Sequence, residues 1–257
     1  MSKIDNSPLI EAIFELRWGE THPGTFKFYR EERELLPGIF FQSIKSNGYP
    51  LRERLDPEAP EIPGFAKYRF RKAPNKWPCY QFGLGLFTAN QIGSAAISSP
   101  QIEEYDWDDF KPAISEGLKS LIDSYATFDG LPSGKPTAAL RYQDGFILGK
   151  GESIEDFISH KTNIRAHLAE NFLDHPDINS NATDIRMELV FETNKPKGKI
   201  SISVMSAQIK GEPGVVFETR VSSQLTSSEI SVPQIMEWAE DAHTLQRHSF
   251  DSLIKTQ

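Results

Sequence analysis

The stretch SPLIEAIFELRW, residues 7–18, alternates apolar and polar side chains and predicts a β-strand. One set of alternate positions is apolar: Ile10, Ala12, Phe14, Leu16 and Trp18. The intervening set includes Glu11, Glu15 and Arg17. Because successive side chains of a strand point to opposite faces, this strand has one buried face and one wet face. A sheet with one wet face needs helices over the other, so the stretch favours an α+β fold.

The rest of the first half predicts a helix, two further strands and a closing helix. The first helix is predicted over residues 26–36 and ends at Pro37 and Gly38. KYRFRK, residues 67–72, and CYQFGLGLFTANQ, residues 79–91, predict paired strands. Apolar residues of the closing helix recur at spacings of three and four: Trp107, Phe110, Ile114, Leu118, Leu121 and Tyr125.

The second half repeats this order of elements. Residues 137–148 predict a strand, residues 153–173 a helix with Ser153 as its N-cap, and residues 184–221 three antiparallel strands. The stretch MEWAEDAHTLQRHSFDSLIKT, residues 236–256, predicts a second closing helix.

A Gly/Pro-rich stretch, DGLPSGKPT at residues 129–137, predicts a linker between the two halves. The closing helices end in the similar heptapeptides LKSLIDS and FDSLIKT, with Trp107 and Trp238 upstream. We therefore expect an internal duplication. The predicted fold is α+β, with two similar halves, residues 1–128 and 138–257, each an antiparallel sheet packed by helices in the order strand, helix, strands, helix.

The second closing helix also contains an E-x-x-H spacing, Glu240 and His243, followed by His248. A helical wheel places the two histidines on different sides of the helix, and bundle-type metal sites need a second E-x-x-H motif, which the sequence lacks. We therefore expect no metal and no cofactor. His243 borders the apolar stripe and is predicted to be partly buried and to bond locally.

Composition restricts the class of protein and its partners. The chain has 257 residues, 38% of them hydrophobic, and a net charge of −8, which disfavours nucleic acid or an anionic membrane as the partner, although nucleic acid stays possible through a local basic patch. The only cysteine, Cys79, excludes an internal disulfide and favours a reducing compartment. With no signal sequence and no long apolar run, we expect a cytoplasmic protein.

One local basic patch is the predicted strand KYRFRK. Alternation places Lys67, Arg69 and Arg71 on one face and two aromatic residues on the other. Lys76 follows a few residues later in the chain. This basic ridge is a candidate binding site for phosphates or for an acidic protein surface. The alternative is a charged edge strand that resists aggregation.

Three motifs resemble a sporadically distributed family of uncharacterised bacterial and archaeal proteins of about this length. They are SPLIEAIFELRW, FGLGLFTANQ with YDWDDF, and WAEDAH with FDSLI, and together they span most of the chain. The positions in them that we single out are Glu11, Glu15, Asn90, Trp107, Trp238 and His243. The resemblance implies no activity. It implies an accessory gene, in a mobile defence or toxin–antitoxin type system.

No catalytic motif is found in the sequence, which leaves three classes of function open. A non-catalytic interaction protein that binds a partner protein is favoured. A small-molecule-binding protein in which a sheet grips a helix, or an enzyme with dispersed carboxylates, are the alternatives.

Overall fold

The computed structural model describes residues 8–58, 60–96, 105–127, 135–165, 172, 174–178, 182, 184–226 and 230–255. Within these residues the strands are β1 (Leu9–Arg17), β2 (Glu20–His22), β3 (Thr25–Phe26), β4 (Leu51–Arg54), β5 (Tyr68–Arg71), β6 (Cys79–Gly83), β7 (Leu86–Ile92), β8 (Thr137–Ile147), β9 (Arg186–Asn194), β10 (Lys197–Ile209) and β11 (Glu212–Gln224). The helices are α1 (Arg30–Glu34), α2 (Leu36–Ser46), α3 (Trp107–Ala126), α4 (Ile154–Lys161) and α5 (Val232–Leu253).

Nine of the strands form one antiparallel sheet in the order β4-β5-β6-β7-β1-β8-β11-β10-β9. The α+β class is therefore confirmed. The prediction of a separate sheet in each half is wrong, because β1 pairs with β7 on one side and with β8 on the other. We call β4, β5, β6, β7 and β1 the first flank, and β8, β11, β10 and β9 the second flank.

The helices lie on one face of this sheet, which we call the helix-covered face. Phe14 of β1 packs against Phe87 of β7 and edge-on against Trp238 of α5. Phe40 of α2 stacks on Phe82 of β6, with ring centroids 4.9 Å apart. The predicted alternation of β1 is confirmed for Ala12, Phe14, Leu16 and Trp18, which lie in the core. It is wrong for Ile10, because a bulge between Leu9 and Glu11 places Leu9 in the core instead.

Three local predictions need correction. Pro37 does not end a helix but stands in the first turn of α2, where a proline without an N–H is tolerated. The stretch at residues 79–91 is a hairpin of two strands rather than one strand, with a turn at Gly85, whose φ is +74°. Helix α4 ends at Lys161 rather than at residue 173, because the chain turns into a β-bridge between Thr162 and Ile254.

The two closing helices agree with their predictions. All six apolar residues of the predicted stripe of α3 are buried. The linker predicted at residues 129–137 lies largely outside the described residues. None of the helices that the structure describes is both long enough and apolar enough to cross a membrane.

Candidate functional site: a charged cluster on the uncovered sheet face

The face of the sheet opposite the helices carries polar side chains across its centre. Strand pairing places Ile13 of β1 opposite Arg141 of β8, and Arg141 opposite Arg220 of β11. Gln143 of β8 and Glu218 of β11 form the next pair. Because directly opposed residues of antiparallel strands share a face, these side chains lie together on the face opposite the helices, which we call the uncovered face because none of the described helices lies on it.

Five residues at this centre form what we call the arginine cluster: Glu15, Arg17, Arg141, Glu218 and Arg220. The Glu15 carboxylate is buried and lies 2.9 Å from Arg17 Nε, 3.8 Å from Arg141 Nη2 and 3.8 Å from Arg220 Nη2. Arg141 Nη1 is also 3.8 Å from Glu218, whose carboxylate accepts a hydrogen bond of 2.6 Å from Gln143. Three guanidinium groups therefore surround one buried carboxylate.

The guanidinium groups retain unused hydrogen-bond donors. A separation of 3.8 Å is longer than a hydrogen bond, so Arg141 makes ionic contacts to its two carboxylates without closing a bidentate pair. Among the described residues, the buried Nε atoms of Arg69, Arg71 and Arg141 have no hydrogen-bond partner. These Nε atoms are out of reach of a partner, but the Arg141 side chain is 29% exposed, so its Nη groups can donate to an incoming carboxylate or carbonyl oxygen.

The polar surface continues from the cluster into the first flank. Asn90 donates a hydrogen bond of 2.9 Å to the Glu11 carboxylate and accepts one from Thr88. Burial raises the pKa of Glu11, while the bond from Asn90 and the charges of Arg141 and Arg69 oppose that rise. The carboxylate of Glu11 thus lies under the influence of arginines from both flanks.

A loop crosses one end of the uncovered face and brings apolar side chains to it. Arg17 donates from Nη1 to the carbonyl oxygen of Gly64 at 2.9 Å, which fixes the loop against β1. The Phe65 carbonyl lies where a Cβ on Gly83 would be, so only glycine permits this close approach. Within the loop, Ile62 is 49% exposed and Phe65 is 66% exposed.

The predicted basic ridge lies on this same face, but not on an edge strand. β5 is hydrogen-bonded to β4 and β6 on its two sides, so the edge-strand explanation is wrong. Lys67 pairs with Glu61 at 3.1 Å, and Arg69 with Glu53 at 3.5 Å. The ridge is partly buried rather than fully presented to solvent, whereas Lys76 is exposed in the turn that follows.

His243 lies at the junction of α3, α5 and β8, on the helix-covered face. It is partly buried, as predicted, but its bonding is not local: Nδ1 lies 2.8 Å from the hydroxyl of Tyr142, and the ring stacks on Trp107 at 4.4 Å. Tyr142 also shares a hydrogen bond of 2.7 Å with Tyr105. Burial lowers the pKa of His243 to about 4, so the imidazole is neutral near pH 7.

The acidic neighbour of His243 is held by other groups. The Glu240 carboxylate accepts hydrogen bonds from Lys111 at 2.6 Å and from Trp107 Nε1 at 3.1 Å, and the bond from Lys111 is the main cause of its lowered pKa. Trp238, two residues before Glu240 on α5, is buried and donates to Ser223 at 2.8 Å. In the part of the chain that the structure describes, no three His, Cys, Asp or Glu residues are grouped as a metal site would require.

Two buried polar residues of the helix-covered face were not predicted from the sequence. Gln246 of α5 donates to the carbonyl oxygens of Leu140 and Thr219, which joins the helix to two neighbouring strands. Asp144 of β8 is buried, and this burial raises the pKa of its carboxyl from 3.8 to about 7.

The sequence placed Glu11, Glu15 and Asn90 in similarity motifs without predicting what they contact. The structure brings Glu15 together with Arg141, Glu218 and Arg220, none of which was singled out. Arg141 stands in TAALRYQDGFIL and Arg220 in the strand that pairs with it, each at a polar position of an alternating strand. The alternation predicts which face each arginine lies on, but it does not predict that β1 pairs with β8.

Comparisons with known proteins found no relatives. No protein-family model matches the chain, no curated protein matches it, and no solved structure matches its fold. The resemblance to a sporadically distributed family therefore stays a prediction from the three motifs.

Proposed function

We propose that this chain is a non-catalytic binding protein whose uncovered sheet face docks a partner protein. The observation that carries the proposal is the arrangement of five arginines on one face of a sheet in a chain with a net charge of −8. They are Arg17, Arg69, Arg71, Arg141 and Arg220. With four glutamates on the same face, these arginines give it a small positive excess in a molecule that is acidic as a whole.

A protein surface fits this face better than nucleic acid does. Glu11, Glu15, Glu53 and Glu218 lie among the arginines, so a row of phosphates would meet negative charge at close intervals. Arginine and exposed aromatic side chains are also the residues that contribute most to binding at protein interfaces. Phe65 provides such an aromatic side chain beside the arginine cluster.

The test uses affinity purification of the tagged full chain from its native cells. The variant carries Arg141→Gln and Arg220→Gln, and the matched control carries Arg30→Gln, which removes an exposed arginine paired with Glu34 on α1. We expect one protein to co-purify with the wild type and with the control, and to be lost with the double variant. Thermal melting of all three proteins verifies that they are folded.

Two results would contradict the proposal. Equal recovery of the same partner by all three proteins would exclude the arginine cluster from the interface. Recovery of nucleic acid alone, removed by moderate salt, would replace a protein partner with a polyanion.

We also propose that the two flanks arose by duplication of one unit, with residues 1–128 and 138–257 as its copies. From the centre outwards, the first flank runs β1, β7, β6, β5 and β4, and the second runs β8, β11, β10 and β9, so that only β4 of this sheet has no counterpart among the described strands. This order and the two closing helices support the proposal. A superposition that pairs β7 with β11 and α3 with α5 would strengthen it, and divergence of the equivalent strands would refute it.

A further inference from the structure

Strand β9 is the outer strand of the second flank, and its free edge is long and apolar. It spans nine residues and pairs with β10 on one side, and no described strand pairs with its other side. Three consecutive residues are exposed: Leu189 by 39%, Val190 by 55% and Phe191 by 52%. Edge strands of natural proteins are usually short, charged or covered, because the unpaired N–H and C=O groups of an exposed edge can pair with a strand of another chain.

We propose that β9 pairs antiparallel with β9 of a second copy of this chain, about a twofold axis at Leu189. In this register Met187 lies opposite Phe191 of the second copy, and Arg186 lies opposite Glu192. Pairing with β10 places Met187, Leu189 and Phe191 in line with Val204, Ile202 and Ile200 of the helix-covered face. The apolar row of one sheet therefore continues into the other.

Charge selects this register over its neighbours. A twofold axis perpendicular to the sheet requires the paired residues to share a face. The axis must therefore pass through a residue, and the registers next to Leu189 have the axis at Glu188 or at Val190. An axis at Val190 would place Glu188 opposite Glu192, and an axis at Glu188 would place that residue opposite itself. Like charges directly opposed across strands are destabilising, whereas the axis at Leu189 creates two Arg186–Glu192 pairs.

The same complementarity identifies the occupant as a second copy. A twofold interface uses one patch of surface twice, so the patch must be complementary to itself. The β9 sequence RMELVFETN meets this condition, with Arg186 near one end, Glu192 six residues later, and between them four apolar residues and Glu188, which faces Val190 of the second copy. The dimer joins two sheets into one continuous sheet and leaves the arginine cluster, at β1, β8 and β11, away from the contact.

Cysteine cross-linking of the full chain tests the axis directly. Opposed residues of antiparallel strands have Cα atoms about 4.5–5.5 Å apart, which a disulfide can span. Cys79 is buried and does not compete. We expect Leu189→Cys to form a covalent dimer under mild oxidation, and the control Val190→Cys to remain largely uncross-linked. Preferential cross-linking of Val190→Cys, or of neither variant, would overturn the proposal.

Charge reversal tests the pairing without a covalent bond. Glu192→Arg should weaken the dimer in sedimentation equilibrium by about tenfold, since it replaces two favourable cross-strand pairs with two repulsive ones. The double variant Arg186→Glu, Glu192→Arg should restore it. Glu188→Arg, which faces Val190 of the second copy, is the matched control and should change the Kd by less than about threefold. A wild-type chain that sediments only as a monomer would overturn the proposal, as would a double variant that is as weak as Glu192→Arg.

Discussion

The first flank of the sheet ends in β4, four residues long, whose side chains Leu51, Arg52, Glu53 and Arg54 are all exposed and mostly charged. The second flank ends in β9, which is nine residues long and exposes Leu189, Val190 and Phe191. Charged side chains on a short edge strand discourage further pairing, whereas a long apolar edge permits it. The two ends of one sheet are therefore suited to different tasks.

The cores under the two flanks also differ. The first flank packs a cluster of aromatic rings between α2, α3 and the strands: Phe40, Tyr49, Phe70, Tyr80, Phe82 and Phe87. The second flank is lined mainly by smaller aliphatic residues of β10 and β11, such as Ile200, Val204 and Val221, with Phe217 as the fully buried ring of β11. We therefore expect the core under the first flank to contribute more to stability than the core under the second.

The largest expected effect tests this division of stability. Phe40→Ala removes a fully buried ring that contacts four other rings, and should lower the free energy of unfolding by about 3–5 kcal/mol. Phe217→Ala, the matched change at a fully buried ring of β11, should cost less, about 3 kcal/mol, since none of the described ring pairs includes Phe217. Urea denaturation of both variants measures the difference. Equal losses would show that the two cores contribute alike.

An intermediate effect depends on pH and compares the two carboxyls whose pKa is raised by burial. In the second flank, the pKa of Asp144 is about 7 in the folded chain, against an ordinary value of 3.8. Between these values the folded chain keeps the proton that the unfolded chain releases, so stability falls as the pH rises from about 4 to about 7. Asp144→Asn removes this dependence, and its stability relative to the wild type should rise by roughly 2–4 kcal/mol over that interval.

Urea denaturation at several pH values between 4 and 8 measures the Asp144 effect. Glu11→Gln, at the polar surface of the first flank, is the matched control. Its relative stability should change in the same direction but by less, because Asn90 and two arginines favour the charged form of Glu11. If the difference in free energy of unfolding between Asp144→Asn and the wild type does not change with pH, burial does not raise the pKa of Asp144 and its carboxyl is ionised in the folded chain.

The smallest expected effect concerns the two edges. Val190→Lys places a charge in the middle of β9 and makes that edge resemble β4. The free energy of unfolding should change by less than about 0.5 kcal/mol, because the site is exposed. The temperature at which light scattering begins on heating should rise. Leu51→Lys on the already charged β4 is the control, and an equal rise there would remove the contrast between the edges.

Local structure could be predicted from the sequence wherever one pattern dominated. The alternation in residues 7–18 predicted β1, and the three-and-four spacing from Trp107 to Tyr125 predicted α3. The prediction that Pro37 ends a helix is wrong, because a proline is equally compatible with the end of one helix and the first turn of the next. The β6–β7 hairpin was read as one strand, since its two glycines lie within an uninterrupted apolar run.

The candidate site could be predicted only in part. Lys67, Arg69 and Arg71 were found because they are close in sequence, and alternation put them on one face. Arg141 and Arg220 come from distant strands, and their meeting with Glu15 depends on the order of strands in the sheet. Strand order is set by packing of the whole chain, which no local periodicity specifies.

The central position of β1 affects how the chain must fold. Phe14 of β1 pairs with Ala89 on one side and with Leu140 on the other, so both partners are synthesised well after the strand itself. Closing such long loops costs chain entropy before any pairing compensates for it, and folds rich in distant contacts form slowly. During synthesis, both edges of β1 lack partners until β7 is made, and the edge that pairs with β8 lacks one until β8 leaves the ribosome. We therefore expect dependence on chaperones to be greatest at that stage, and to be relieved when the middle of the sheet closes.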